Sequence, residues 1–148
     1  MIDMNDLEDQ PLGYLLSRVA NALRAEVTAT VLDPMGLAFG QYICLRILAK
    51  YPGRSNAELA RDTNVTPQAM NMVLKALQER GLVTRPATVA SGRSLPAELT
   101  RRGTEVLTDL VTRVQAAEDR VLGELTDNQK HQLRHLLSQV TSDPTSPK

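Results

Sequence analysis

Gln68, Asn71, Met72 and Lys75 fall within about 100° of one another when the chain is wound as an α-helix. Met70, Val73, Leu74 and Leu77 collect on the opposite side. One face of such a helix is apolar; the other offers two carboxamides, a thioether and an ammonium. A carboxamide donates and accepts at once, which matches the edge of adenine in a DNA major groove, and an ammonium reaches guanine or phosphate. A second constellation pairs rings with guanidiniums. Tyr14 stands one helical turn before Arg18, and Tyr42 one turn before Arg46, with Phe39 on the same side as the latter pair. A guanidinium fork beside a ring suits an aromatic carboxylate, with paired bonds to the anion and the ring over the apolar part. The plainer reading of each pair is an arginine that meets an acid and a tyrosine that fills a helix junction.

These residues need elements to hold them, and helical periodicity dominates the chain. Leu12, Leu15, Leu16, Val19, Leu23, Val27 and Val31 predict a first helix through about Leu32, stopped by Asp33-Pro34 and Gly36. A second helix is expected from about Leu37 to Lys50 and ends at Pro52-Gly53. Ser55-Asn56-Ala57-Glu58 fits a capping box for a short helix to Thr63. Thr66-Pro67 then opens the polar-faced helix, with threonine as cap and proline in the first turn, and Gly81 closes it. Joined by Asn64-Val65, the two have helix-turn-helix spacing.

Leu82-Val83-Thr84-Arg85 and Ser94 to Leu99 read as two short strands around a turn at Ala90-Ser91-Gly92-Arg93. Pro86 and Pro96 each remove a ladder donor, so this hairpin should be small and exposed at its edges. A long helix follows from Thr100, with Val106, Leu107, Leu110, Val111, Val114, Val121, Leu122 and Leu125 on one stripe. Thr126 caps a last helix whose Leu133, Leu136, Leu137 and Val140 are expected inward, and the tail from Thr141 should fray.

At 148 residues the chain fits one domain, and its core must come from aliphatic side chains, because aromatics are only 3%. A single cysteine, Cys44, excludes an internal disulfide and suits a reducing compartment. No apolar run approaches the ~20 residues of a membrane helix, and Asp3, Asp6, Glu8 and Asp9 oppose the sign of a secretory leader. A soluble cytoplasmic protein with no membrane partner is expected. Net charge is zero, yet residues 50–102 hold nine basic groups against four acidic ones, a cationic middle between anionic ends. Within that middle, Arg93 at the turn tip suits a narrow minor groove, and Arg85 at the hairpin base suits a phosphate. Ser55 and Thr66 would help hold phosphates, and Ser94 joins Arg93 on the wing. Cys44, flanked by Ile43 and Leu45, reads as a packing thiol, and His131 with His135 as surface histidines lacking a third metal ligand. No catalytic constellation, cofactor motif or metal signature is visible.

Taken in order, Ser55-Asn56-Ala57-Glu58-Leu59-Ala60, Thr66-Pro67-Gln68-Ala69-Met70-Asn71, Glu79-Arg80-Gly81-Leu82-Val83, Ser91-Gly92-Arg93-Ser94 and Leu99-Thr100-Arg101-Arg102-Gly103 resemble the MarR family of bacterial winged-helix regulators. The likeness covers roughly residues 10–140. It implies a homodimer built by the terminal helices, a pseudo-palindromic DNA operator, repression of transcription, and release by small phenolic or aromatic acids. Where the family usually carries an aspartate shortly before the tip arginine, this chain has Ser91, which leaves Arg93 without that brace.

The fold class expected is mainly α with a small β-hairpin wing, one compact domain overall. Residues 1–36 form an N-terminal dimerisation helix, 37–100 the winged helix-turn-helix, 101–141 the C-terminal dimerisation helices and 142–148 a flexible tail. Apolar stripes on the first and the last two helices point to a dimer without the resemblance, since a small reading unit cannot cover them and a second copy can. The competing function is a winged helix that binds protein instead of DNA. Its exposed helix should be apolar, and Gln68, Asn71 and Lys75 argue against that.

Overall fold

The computed structural model describes residues 9–85 and 96–141. The turn tip with Arg93 and Ser94 and the tail 142–148 lie outside the described residues.

Helix α1, Leu12–Val27, runs on through a π-helical turn, Thr28–Leu32, and a 3-10 turn, Asp33–Met35, to Gly36 at φ +67°. The periodicity alone predicts one α-helix through Leu32. The wider turn changes which side chains face in, so that the neighbours Val31 and Leu32 are both buried. Helix α2, Phe39–Lys50, buries Tyr42, Cys44, Leu45 and Leu48.

Strand β1 is Arg54–Ser55, helix α3 Asn56–Thr63 and helix α4 Pro67–Glu79. The capping box at α3 forms as the sequence predicts: Ser55 Oγ accepts from the Glu58 amide at 3.2 Å, and the Ser55 amide donates to Glu58 Oε1 at 3.3 Å. Thr66 Oγ1 accepts from the Ala69 amide at 3.1 Å to start α4. Each cap satisfies amides that would otherwise be orphaned, a contribution of about 1 kcal/mol. Between the two helices Asn64 takes the left-handed conformation at φ +55°, which an asparagine tolerates better than most side chains.

Strands β2, Val83–Thr84, and β3, Pro96–Leu99, complete an antiparallel sheet of order β1-β3-β2, in register Arg54↔Ala97, Ser55↔Pro96, Val83↔Leu99 and Thr84↔Glu98. β1 had no signal in the sequence, because two residues are too few to show alternation. Its presence makes β3 the central strand rather than an edge, with Pro96 at the first strand position, where proline is tolerated.

Helix α5, Arg101–Val121, buries Leu107, Leu110, Val114 and Ala117, and α6, Asp127–Val140, follows. The stripe foreseen through Leu125 is cut at Val121, so Leu122 and Leu125 fall in the connecting turn. Contrary to the sequence expectation, this last helix turns no apolar face into the core of the chain. None of its residues is buried, and Leu136, Leu137 and Val140 are 57%, 43% and 82% exposed. Among the described residues the hydrophobic core does not reach α6.

One hydrophobic cluster joins the remaining elements, from Val27 and Leu32 through Leu45, Leu48, Leu59, Met70, Leu74 and Leu77 to Leu82 and Leu110. At its edge α5 starts hard against the sheet. Thr100 Oγ1 donates to Gly81 O at 2.6 Å and accepts from the Gly103 amide at 3.0 Å. A Cβ at Gly103 would lie 2.0 Å from the Leu82 carbonyl oxygen, so only glycine fits. No single helix among the described residues is long and apolar enough to cross a membrane.

Candidate functional site

Two places gather the chemistry. The first is α4. Its apolar side is spent on the core, with Met70, Leu74 and Leu77 buried, and Gln68, Asn71, Met72 and Lys75 are all exposed on the other side. Met72 is 70% exposed among them. The N-termini of α3 and α4 are stapled together, since Asn56 Nδ2 donates to Pro67 O at 3.0 Å. That staple brings the capping residues Ser55 and Thr66 to the same end of the pair. Arg80, just past α4, donates to Gly36 O at 2.7 Å and to Met35 O at 2.9 Å, fastening the end of the exposed helix to the α1–α2 junction.

Arg85 is half-buried at the base of the wing. Its Nε and Nη2 donate to Gln78 Oε1 at 3.0 and 2.8 Å, and its Nη1 to Asn71 Oδ1 at 3.3 Å. The guanidinium therefore lies against α4.

The second place is a cavity of about 650 Å³ between α1, α2, α3 and α5. Phe39, Tyr42 and Arg46 line it, as do Arg24, Lys50, Tyr51, Asp62 and Glu118. The Phe39 and Tyr42 rings meet edge to face at 6.1 Å between centroids, and the Arg24 guanidinium stacks 4.7 Å over Phe39. Arg46 Nη1 donates to the Tyr42 hydroxyl at 3.2 Å. Three cationic side chains against two carboxylates, around rings and aliphatic walls, make a site suited to a flat anion. On the α3 side, Arg54 pairs with Glu58 and lies 3.6 Å from Asp62. The hydrogen bond from Arg54 holds the Glu58 carboxyl below the usual carboxylate range.

Tyr14 and Arg18 stay together, with the guanidinium 5.9 Å from the ring centroid, but on the exposed flank of α1 and not along this cavity. Sequence spacing missed Arg24, Asp62 and Glu118, which reach the cavity from three different helices, a relation that no i, i+4 rule can show. Lys50 could have been found, because it continues the Tyr42–Arg46 stripe by one more turn. Cys44 is fully buried in α2, and His131 and His135 are exposed on α6, where no third metal ligand joins them among the described residues.

A three-stranded sheet packed on a short helix pair, the second helix turned polar side out, defines a winged helix-turn-helix protein. The MarR family profile matches residues 35–94. The HTH-type transcriptional repressor Rv2887 of Mycobacterium tuberculosis is 51% identical over 136 residues, covering 92% of this chain and 97% of its own length. A crystal structure of that MarR family protein in complex with DNA superposes with a TM-score of 0.80 at 46% identity, covering 90% of this chain and all of the other. A second structure, in complex with salicylic acid, gives 0.74 at 49% identity, over 91% and 99% of the two chains. The chain belongs to the MarR family, whose members are transcriptional regulators and not enzymes.

Proposed function

We propose that this chain binds double-stranded DNA as a homodimer on a pseudo-palindromic operator, represses transcription there, and is released by a small aromatic acid. The observation that carries the reading is α4, which spends one face on the core and keeps two carboxamides and an ammonium in solvent. In this reading Gln68, Asn71, Met72 and Lys75 enter the major groove, Ser55 and Thr66 hold phosphates, and Arg93 with Ser94 approaches the adjacent minor groove. Phe39, Tyr42 and Arg46, joined by Arg24 and Lys50, would hold the effector by ring contact and paired bonds to its carboxylate. The relative's complexes with DNA and with salicylic acid support both halves. A protein-docking winged helix would present an apolar face, and the polar groups of α4 speak against it.

The test is fluorescence anisotropy on duplex DNA from upstream of the chain's own gene. Affinity should fall linearly on a log–log plot as salt rises. Asn71→Ala should lose about 1–3 kcal/mol. Salicylate should weaken DNA binding by the wild type and leave the DNA affinity of Arg46→Ala unchanged. Indifference to any duplex at low ionic strength would overturn the DNA reading, and equal salicylate response in both proteins would overturn the effector site.

A further inference from the structure

The wing-base arginine, which its position suggested as a phosphate ligand, has its hydrogen bonds turned inward. Arg85 donates twice to Gln78 Oε1, at 3.0 and 2.8 Å, and once to Asn71 Oδ1, at 3.3 Å. Asn71 and Gln78 are seven residues apart, two turns along one stripe of α4, and the planar fork of a guanidinium spans them. Gln78 and Arg85 are half-buried, whereas Asn71 is exposed. Arginine has donors only, so the atom that Asn71 turns toward it must be the amide oxygen. The Asn71 Nδ2 amine is then the group left to face outward.

We infer that Arg85 is a positioning residue for DNA reading: it fixes the Asn71 carboxamide so that α4 presents an amine to the base edge beneath it. This rests on the proposal that α4 lies in the major groove. A fixed amine reads a hydrogen-bond acceptor, such as purine N7, and disfavours the cytosine amino group. Without Arg85 the amide can turn over, offering either its oxygen or its amine, and the preference is lost. Because Arg85 directly follows β2, the same contact sets the base of the wing against the reading helix. A phosphate ligand behaves differently. Its loss weakens binding to all sequences alike and lowers the salt slope by about one counterion.

The experiment selects bound duplexes from a randomised library with full-length wild type, Asn71→Ala, Arg85→Ala, Arg85→Lys and Asn71→Ala/Arg85→Ala. Salt-dependent affinities are then measured on the wild-type consensus. The wild type should show an acceptor-bearing base at one position per half-site. Asn71→Ala and Arg85→Ala should each flatten that position, with a loss of discrimination of about fivefold or more. The double variant should match the single ones, as expected for residues that act as a unit. Arg85→Lys keeps the charge and loses the fork. It should flatten the same position with an unchanged salt slope, and it decides the matter if Arg85→Ala fails to fold. Retained preference in Arg85→Lys, or a uniform loss in Arg85→Ala with a lower salt slope, overturns the inference and leaves DNA reading by α4 intact. A wild type that selects no sequence would instead overturn the underlying function.

Discussion

Cys44 shows how burial decides the chemistry of a single residue. Its thiol is fully buried in α2, and that burial alone pushes its pKa up to about 12. At pH 8 the thiolate is then on the order of one part in ten thousand, and access is closed as well. Ellman's reagent should therefore find no thiol in the native protein at pH 8 and one after unfolding in guanidinium; prompt native reaction would contradict the burial. Glu58 shows the opposite case, a charge held in place. Arg54 depresses its pKa, so the stabilisation it gives is present above the ordinary carboxylate value and lost as pH falls through the depressed one. Thermal melts of Glu58→Gln should accordingly show a smaller loss of stability than the wild type across that acid range. A Glu58→Gln acid limb as steep as the wild type's would remove the assigned role.

Among the elements, the tightest join is where α5 leaves the sheet. Gly103 is buried with no room for a Cβ, which would sit 2.0 Å from backbone rather than from a yielding side-chain tip. Gly103→Ala must push α5 off the Leu82 carbonyl, and chemical denaturation should show a loss of about 1–3 kcal/mol or more; an unchanged midpoint would mean that the helix start can slide. That join also marks how far the sequence could be read. The glycine is visible in Leu99-Thr100-Arg101-Arg102-Gly103, but its reason is a contact with a residue about twenty positions away. Features closed within a few residues were legible: the Ser55 and Thr66 caps, the stop at Gly81, and the polar side of α4 all follow from local spacing. Features made by distant partners were not. β1 exists only because Arg54 and Ser55 meet Ala97 and Pro96. The cavity ring of Arg24, Asp62 and Glu118 is assembled from separate helices. Arg85 reads in the sequence as a phosphate ligand, because its partners Asn71 and Gln78 stand on another element.

For the molecule as a whole, the feature that demands a partner is the apolar surface left open on its first and last helices. Leu12, Tyr14, Leu16 and Val19 on α1 are between 41% and 71% exposed, and Leu136, Leu137 and Val140 on α6 are as open. A helix such as α6, of 14 residues with nothing buried, is marginal in water, because isolated helices of that length depend on packing for stability. Within the chain, α6 is tied back by Lys130 to Asp119 at 3.1 Å and Arg134 to Glu118 at 3.9 Å, exposed pairs worth little. A second copy would cover these faces and supply the missing packing. Two-fold symmetry would also set two α4 helices at half-sites roughly 34 Å apart, one turn of DNA. Leu136→Asp places a charge on that exposed face of α6 and touches neither α4 nor the cavity. Sedimentation should find the wild type dimeric and the variant monomeric, with reduced helical circular dichroism as α6 loses its partner. On a duplex with two half-sites the variant should bind at least about tenfold more weakly, since the second reading head no longer arrives tethered to the first. On a duplex with one half-site the two proteins should differ little. A monomeric wild type, or a variant that stays dimeric with its helicity intact, would mean that these side chains are not the seam between copies.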